Sequence, residues 1–191
     1  MAAFTLVELL FAMGVAATLA AVAVPQLVAS VDDLRAAAAA RFVASTLQQT
    51  RMAAVMRGRA AAVRFSRTAA GYEFAVYLDG NRNGVRASDI AAGQDPQILP
   101  PRRLPNAFPG VDFGTVPALP AVDASGLPPG DDPIRLGSGD SVTFTPMGTA
   151  TAGSLYVRGR HDAQYVVRIF GETGKTRLLK FNRWSRTWNP L

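Results

Sequence analysis

Phe4-Thr5-Leu6-Val7-Glu8-Leu9-Leu10 opens the stretch that decides how this chain folds. The 23 residues from Leu9 to Val31 that follow Glu8 carry no charge, and the run ends abruptly at Asp32-Asp33. About 20 apolar residues in a helix span a ~30 Å hydrocarbon core, so this run is long enough to cross a bilayer. A secretory signal would bring a basic lead-in, a shorter apolar core and a break in polarity at its cleavage site. Met1 to Glu8 holds no Lys or Arg, and a helical pattern continues through Ala36 to Ala40 and Arg41-Phe42-Val43. The segment therefore reads as a retained helix. Glu8 has two readings. It lies at the membrane surface, favoured by the positive end of the helix dipole, or it pairs with a positive charge inside an assembly of such helices. Two opposite charges buried together cost much less than either alone.

Working outward, apolar and small residues recur at helical spacing past Pro25: Leu27, Val31, Leu34, Ala38, Val43, Leu47, Ala54 and Val55. Twenty Ala fall in the first 62 residues, and Ala is the best helix former. Pro25 should kink or loosen the helix, and two helices broken there are the competing arrangement. Gly58 is a natural stop. A helix from Phe4 to Arg57 would be about 80 Å long.

After Gly58 the period switches to two. Strands are expected at 61–65, 72–77, 141–145, 154–158, 164–170 and 175–181, packed antiparallel on the second half of the helix. Pro96 to Pro133 holds ten of the thirteen Pro residues. It is expected to be a long, partly extended surface loop, since Pro is excluded from helix interiors and central strands. The fold class is thus α+β. Residues 1–3 read as a leader remnant, 4–31 as a transmembrane or filament-core helix, 32–58 as its amphipathic half, and 59–191 as a β-rich globular domain with the Pro-rich loop 96–133.

Composition excludes much chemistry. There is no Cys and one His, His161, which removes disulfides, thiolate catalysis and Cys- or multi-His metal sites. No nucleophile elbow or phosphate loop is present, so no enzymatic activity, cofactor or metal is expected. Asp79-Gly80-Asn81-Arg82-Asn83-Gly84 matches the start of a calcium loop, but its twelfth position is Ile90 where a bidentate acid is required; a plain Asn/Gly turn is preferred. The net charge of +6 lies entirely in residues 151–191. There Lys175, Arg177, Lys180, Arg183 and Arg186 alternate with Phe181, Trp184 and Trp188, a pattern of cations and flat rings suited to nucleic acid. The competing reading is a solvated edge strand whose Trp residues close the core.

The N-terminal residues quoted above, with their apolar run and Pro25, resemble the class III signal of type IV pilins and type II secretion pseudopilins. Leu47 to Arg59, the Phe144-Thr145-Pro146-Met147-Gly148 turn, and Tyr165-Val166-Val167-Arg168 followed by Gly174-Lys175-Thr176-Arg177 are similar to the GspH/FimT group of minor pseudopilins. The resemblance implies a pilin-like fold and a structural role in a type II secretion system or type IV pilus. It implies cleavage between Ala3 and Phe4 by a prepilin peptidase, N-methylation of Phe4, and a Glu8 carboxylate that meets the amine of a neighbouring subunit. Ala3 stands where the family usually has Gly, and Met1-Ala2-Ala3 is neither long nor basic like the usual leader. Implied partners are other pilin or pseudopilin subunits, the peptidase and, before assembly, the bacterial inner membrane, with the globular domain periplasmic. The FimT side of the group implies an alternative: DNA binding in transformation through Gly174, Lys175 and Arg177, with Arg183, Trp184 and Arg186 extending the patch. Lys175 in place of Arg keeps the charge but loses the bidentate fork.

Overall fold

The structure, a computed structural model, describes residues 5–123, 126–137 and 139–191. One helix, α1 (Leu6–Arg57), runs unbroken for 52 residues, about 78 Å. Pro25 lies inside it. The ring removes one backbone donor there, yet the helix continues on both sides, so the broken-helix arrangement is not the one adopted. Gly58 ends α1 in the left-handed conformation, φ 59°, which Gly enters without steric cost.

The strands follow in chain order: β1 (Ala61–Thr68), β2 (Gly71–Leu78), β3 (Gln97–Arg102), β4 (Asp112–Phe113), β5 (Ile134–Arg135), β6 (Ser141–Phe144), β7 (Gly153–Arg158), β8 (Gln164–Ile169), β9 (Thr176–Asn182) and β10 (Thr187–Pro190). Two short helices, α2 (Ala87–Ala91) and α3 (Leu104–Ala107), sit between them. All strand pairs are antiparallel and form two sheets. One has the order β3-β2-β1-β6; the other runs β10-β9-β8-β7-β4, with β5 also on β7. The six strands expected from period-two patterning are β1, β2 and β6 to β9. The other four are two to six residues long, too short or too Pro-rich to show a pattern.

Both sheets close over the second half of α1. Its buried residues are Asp32, Ala36, Ala37, Ala39, Ala40, Val43, Ala44, Thr46, Leu47, Thr50 and Ala54, a set that recurs at three- and four-residue intervals and so keeps one side of a 3.6-residue helix inward. Leu34 and Val55, expected in the packed face, are 67% and 46% exposed. The inward positions are mostly Ala, because two sheets crowd the helix and leave no room for longer side chains. Every residue from Thr5 to Val31 is exposed.

The Pro-rich stretch corrects a second expectation. It supplies β3, α3 and β4, and Leu104, Val111 and Phe113 enter the main core. Further on, Val116 and Leu119 lie in a smaller core with Tyr156, Val166, Leu179 and Phe181, backed by Val122 and Trp188. This segment is the cover of the outer face of the second sheet. Gln164, 1% exposed, pins it: its side-chain oxygen accepts from the Val116 N–H at 2.9 Å and its amide donates to the Gly114 carbonyl at 3.2 Å. Pro100 and Pro101 lie in the edge strand β3 and Pro105 in the first turn of α3, where a missing N–H breaks no ladder or helical bond.

A paired substitution tests the small-residue stripe. Ala40→Leu should destabilise the full chain by about 2 kcal/mol through overpacking, whereas Leu34→Ala should change stability by less than about 0.5 kcal/mol. Urea unfolding in detergent, followed by circular dichroism, measures both; equal effects would mean that the inward face is misassigned.

Candidate functional site

Three places along α1 carry the polar chemistry. At its N-terminal end Thr5 is the cap. Its hydroxyl accepts from the Glu8 N–H at 3.3 Å, while Glu8 Oε2 accepts from the Thr5 N–H and from the Thr5 hydroxyl, both at 2.9 Å. This reciprocal capping box is the signature Thr-x-x-Glu, which is legible in the sequence. It holds the carboxylate beside the helix start. Ala3 and Phe4, the expected cleavage and methylation positions, lie outside the described residues.

The second place is where the apolar run stops. Asp32, 5% exposed, accepts from the Arg160 N–H at 2.9 Å and the His161 N–H at 2.7 Å. Gly159 makes this approach feasible: a Cβ there would fall 2.7 Å from Asp32 Oδ2. The neighbouring Asp33 takes the Tyr165 hydroxyl at 2.9 Å and the Lys180 ammonium at 2.7 Å. Two adjacent carboxylates thus grip the β7–β8 turn and strands β8 and β9. Burial and the adjacent Asp33 carboxylate push the Tyr165 phenol well above its usual range, since both oppose a phenolate.

The third place is the far end of α1. Arg51 Nε donates to the Gly148 carbonyl at 3.1 Å, and the Gln48 amide donates to the Gly174 carbonyl at 3.3 Å and to the Thr176 hydroxyl at 3.2 Å. Gly174 has φ 60°, and a Cβ there would meet the Gly148 carbonyl at 2.3 Å. The motif residues Arg51, Gly148 and Gly174 therefore converge on one junction between helix, the β6–β7 turn and the β8–β9 turn.

The basic tail divides. Gly174 is buried at this junction, with Lys175 and Arg177 exposed beside it. Arg183, Trp184 and Arg186 lie beyond the other end of β9, past the Lys180–Asp33 contact. Arg177 lies inside β9 and Arg183 just past its end, so five strand residues and about 20 Å separate the groups. Arg183 reaches Asp162 at 3.5 Å, and Arg186 donates to the Ala118 carbonyl at 2.8 Å. Trp188 packs at a tilt against the rings of Tyr156 and Phe181, and its indole N–H donates to the Pro120 carbonyl at 3.2 Å. Trp184 is 99% exposed. One Trp closes a core, and the other does not.

In the 79–95 loop the acids are occupied by the loop itself. Asp79, 3% exposed, accepts from the N–H groups of Asn81, Arg82 and Gly84. Asp95 accepts from Gly80 and Arg86, and Asp89 from the Asn81 and Asn83 amides. Among the described residues no group of three or more His, Cys, Asp or Glu is arranged to hold a metal.

Gly174→Ala should cost at least about 2 kcal/mol from the forced φ and the carbonyl clash, whereas Lys175→Ala should be neutral within about 0.5 kcal/mol; thermal melts of the two variants give the comparison. Tyr165 sets a pH dependence. Its folded phenol is raised, so its stabilising effect is complete below the unfolded value of about 10 and fades as pH climbs through the folded value. Stability should therefore fall above pH ~10 more steeply in the native chain than in Tyr165→Phe. Parallel curves would rule the tyrosine out.

Comparison with known proteins matches residues 39–173 to the family model "Type II transport protein GspH". No curated protein and no solved structure matches significantly. The matched span begins inside the buried half of α1, contains Arg51 and Gly148, and ends one residue before Gly174. The chain belongs to the GspH family of type II transport proteins.

Proposed function

We propose that this protein is a structural minor pseudopilin of a type II secretion system. In this reading it is anchored in the inner membrane by the first half of α1, with its β-rich domain periplasmic, and is then built into a filament through the same helix. The observation that carries the reading is the two-environment helix. From Leu6 to Val31 it is apolar, uncharged save Glu8, and wholly exposed; from Asp32 onward it is the spine of a folded domain. An exposed apolar surface that size is stable in water only when something covers it, and lipid and sister helices are the two covers a pseudopilin meets. The family membership supports the type II assignment.

Processing between Ala3 and Phe4 would leave a free amine next to the Thr5–Glu8 cap. Glu8 then has two uses. Within one subunit it caps the helix; in a filament it faces the amine of a neighbour. A carboxylate that enters an apolar bundle needs such a cation.

The test is incorporation. Glu8→Ala should leave membrane insertion intact, because removing a charge from an apolar segment favours lipid. It should reduce recovery in sheared filaments by at least about tenfold, the equivalent of ~1.4 kcal/mol. Glu8→Asp, shorter by one methylene, should lie between. Undiminished incorporation of Glu8→Ala would overturn the pairing, and a full-length chain recovered as a soluble monomer would overturn the anchor.

A further inference from the structure

The tail turn and the β7–β8 turn sit at one level of the long helix, and that level is where the apolar run ends. Strand β9 runs antiparallel to α1. Its start is tied to Gln48 through Thr176, and its later residue Lys180 is tied to Asp33. Continuing in that direction, the β9–β10 turn carries Arg183 and Trp184 past Asp33. They line a cleft of about 440 Å³ that reaches Ala29. On another side of the helix, Arg160, His161 and Pro109 line a second cleft with Leu27, Val28 and Val31. Two turns of the globular domain therefore flank the last turns of the exposed apolar helix.

A bilayer sets the depth of that level. Leu6 to Val31 spans about 39 Å at 1.5 Å per residue, against roughly 30 Å of hydrocarbon and 40–45 Å with headgroups. With Glu8 in one headgroup layer, Leu27 to Val31 occupy the other. The side chains presented there are those a headgroup layer takes. Trp184 is 99% exposed, and indole favours the membrane interface. Arg160 and Arg183 are exposed cations, attracted to anionic lipid. The acids at this level already have partners: Asp32 takes two backbone N–H groups, Asp33 takes Tyr165 and Lys180, and Asp162 takes Arg158 and Arg183.

Building on the membrane-anchored reading above, we infer that these two turns form a collar that seats the domain on an anionic phospholipid surface. Trp184 enters the headgroup layer, and Arg160 and Arg183 contact lipid phosphates. The collar fixes the tilt of the domain on its anchor before assembly.

The full chain has two Trp residues, which gives the test its probe. Trp188→Phe leaves Trp184 as the sole indole. In vesicles of phosphatidylethanolamine and phosphatidylglycerol, its emission should shift to shorter wavelength. A nitroxide at the headgroup should quench it more than one at mid-chain. The unsubstituted chain should show the same blue shift on reconstitution, so the result does not depend on the variant's folding. A second chain, Trp184→Phe, Trp188→Phe and Leu19→Trp, places an indole about 16 Å from Glu8, reports on the anchor and should be quenched by the mid-chain label. If the indole at position 19 is quenched while Trp184 keeps water-like, unquenched emission, the collar is overturned and the anchor stands. If neither is quenched, the anchor fails and the collar with it. Arg160→Glu with Arg183→Glu should return Trp184 to water-like emission; unchanged quenching would overturn the role of the arginines.

Discussion

The carboxylates of Asp32 and Asp33 hold the molecule together at its most demanding point. On one side of them α1 is an exposed apolar rod; on the other it is buried between two sheets. A helix that changes surroundings so sharply must be fixed where the change occurs, or the domain would swing about it. Asp32 does this with two charge-assisted bonds to backbone N–H groups, which are shorter and stronger than neutral ones. Asp33 adds a phenol and an ammonium from two neighbouring strands. The bonds are made by a carboxylate that is itself 5% exposed, so losing either partner would leave a buried charge unsatisfied, a larger penalty than losing a surface contact.

Below this grip the helix is clad closely. Ala36, Ala39, Ala40 and Ala54 are fully buried, and Val43 and Leu47 fill what space remains. Small side chains let two sheets approach one helix from different sides, and the second sheet is then covered on its outer face by the Pro-rich segment. The three layers explain why Gln164 is buried in a protein with few buried polar groups. It replaces the ladder partners that a Pro-rich chain cannot supply. At the far end, the Arg51, Gly148 and Gly174 junction ties helix, turn and hairpin, and Arg51 and Gly148 lie within the span that matches the family.

Much of this was legible in the residues. The apolar run, its terminating acids, Gly58 and six alternating strands are local patterns, and local patterns survive in a linear reading. The Thr5–Glu8 capping box is equally local, since Thr-x-x-Glu ahead of an apolar run is a helix-start signature. Leu34 keeps the helical spacing and is nonetheless exposed, because spacing tells which residues share a face but not which face is turned inward. The basic tail read as one stretch of alternating cations and rings, yet a strand of that length separates its ends, so adjacency in sequence did not make a single patch.

By itself, the sequence determined the long helix, the switch to strands after Gly58, the anchoring length of the apolar run and the family motifs, since each depends on residues a few positions apart. Only the tertiary structure decided that Asp32 is a buried latch, that the Pro-rich segment is a cover, that Gly174 is a packing residue, and that Trp184 stands level with the end of the apolar run. Each of those depends on partners brought together from far along the chain, 128 residues apart for Asp32 and Arg160. Such pairings leave no periodic trace, because they arise from how helix and sheets meet and not from the conformational preference of any one segment.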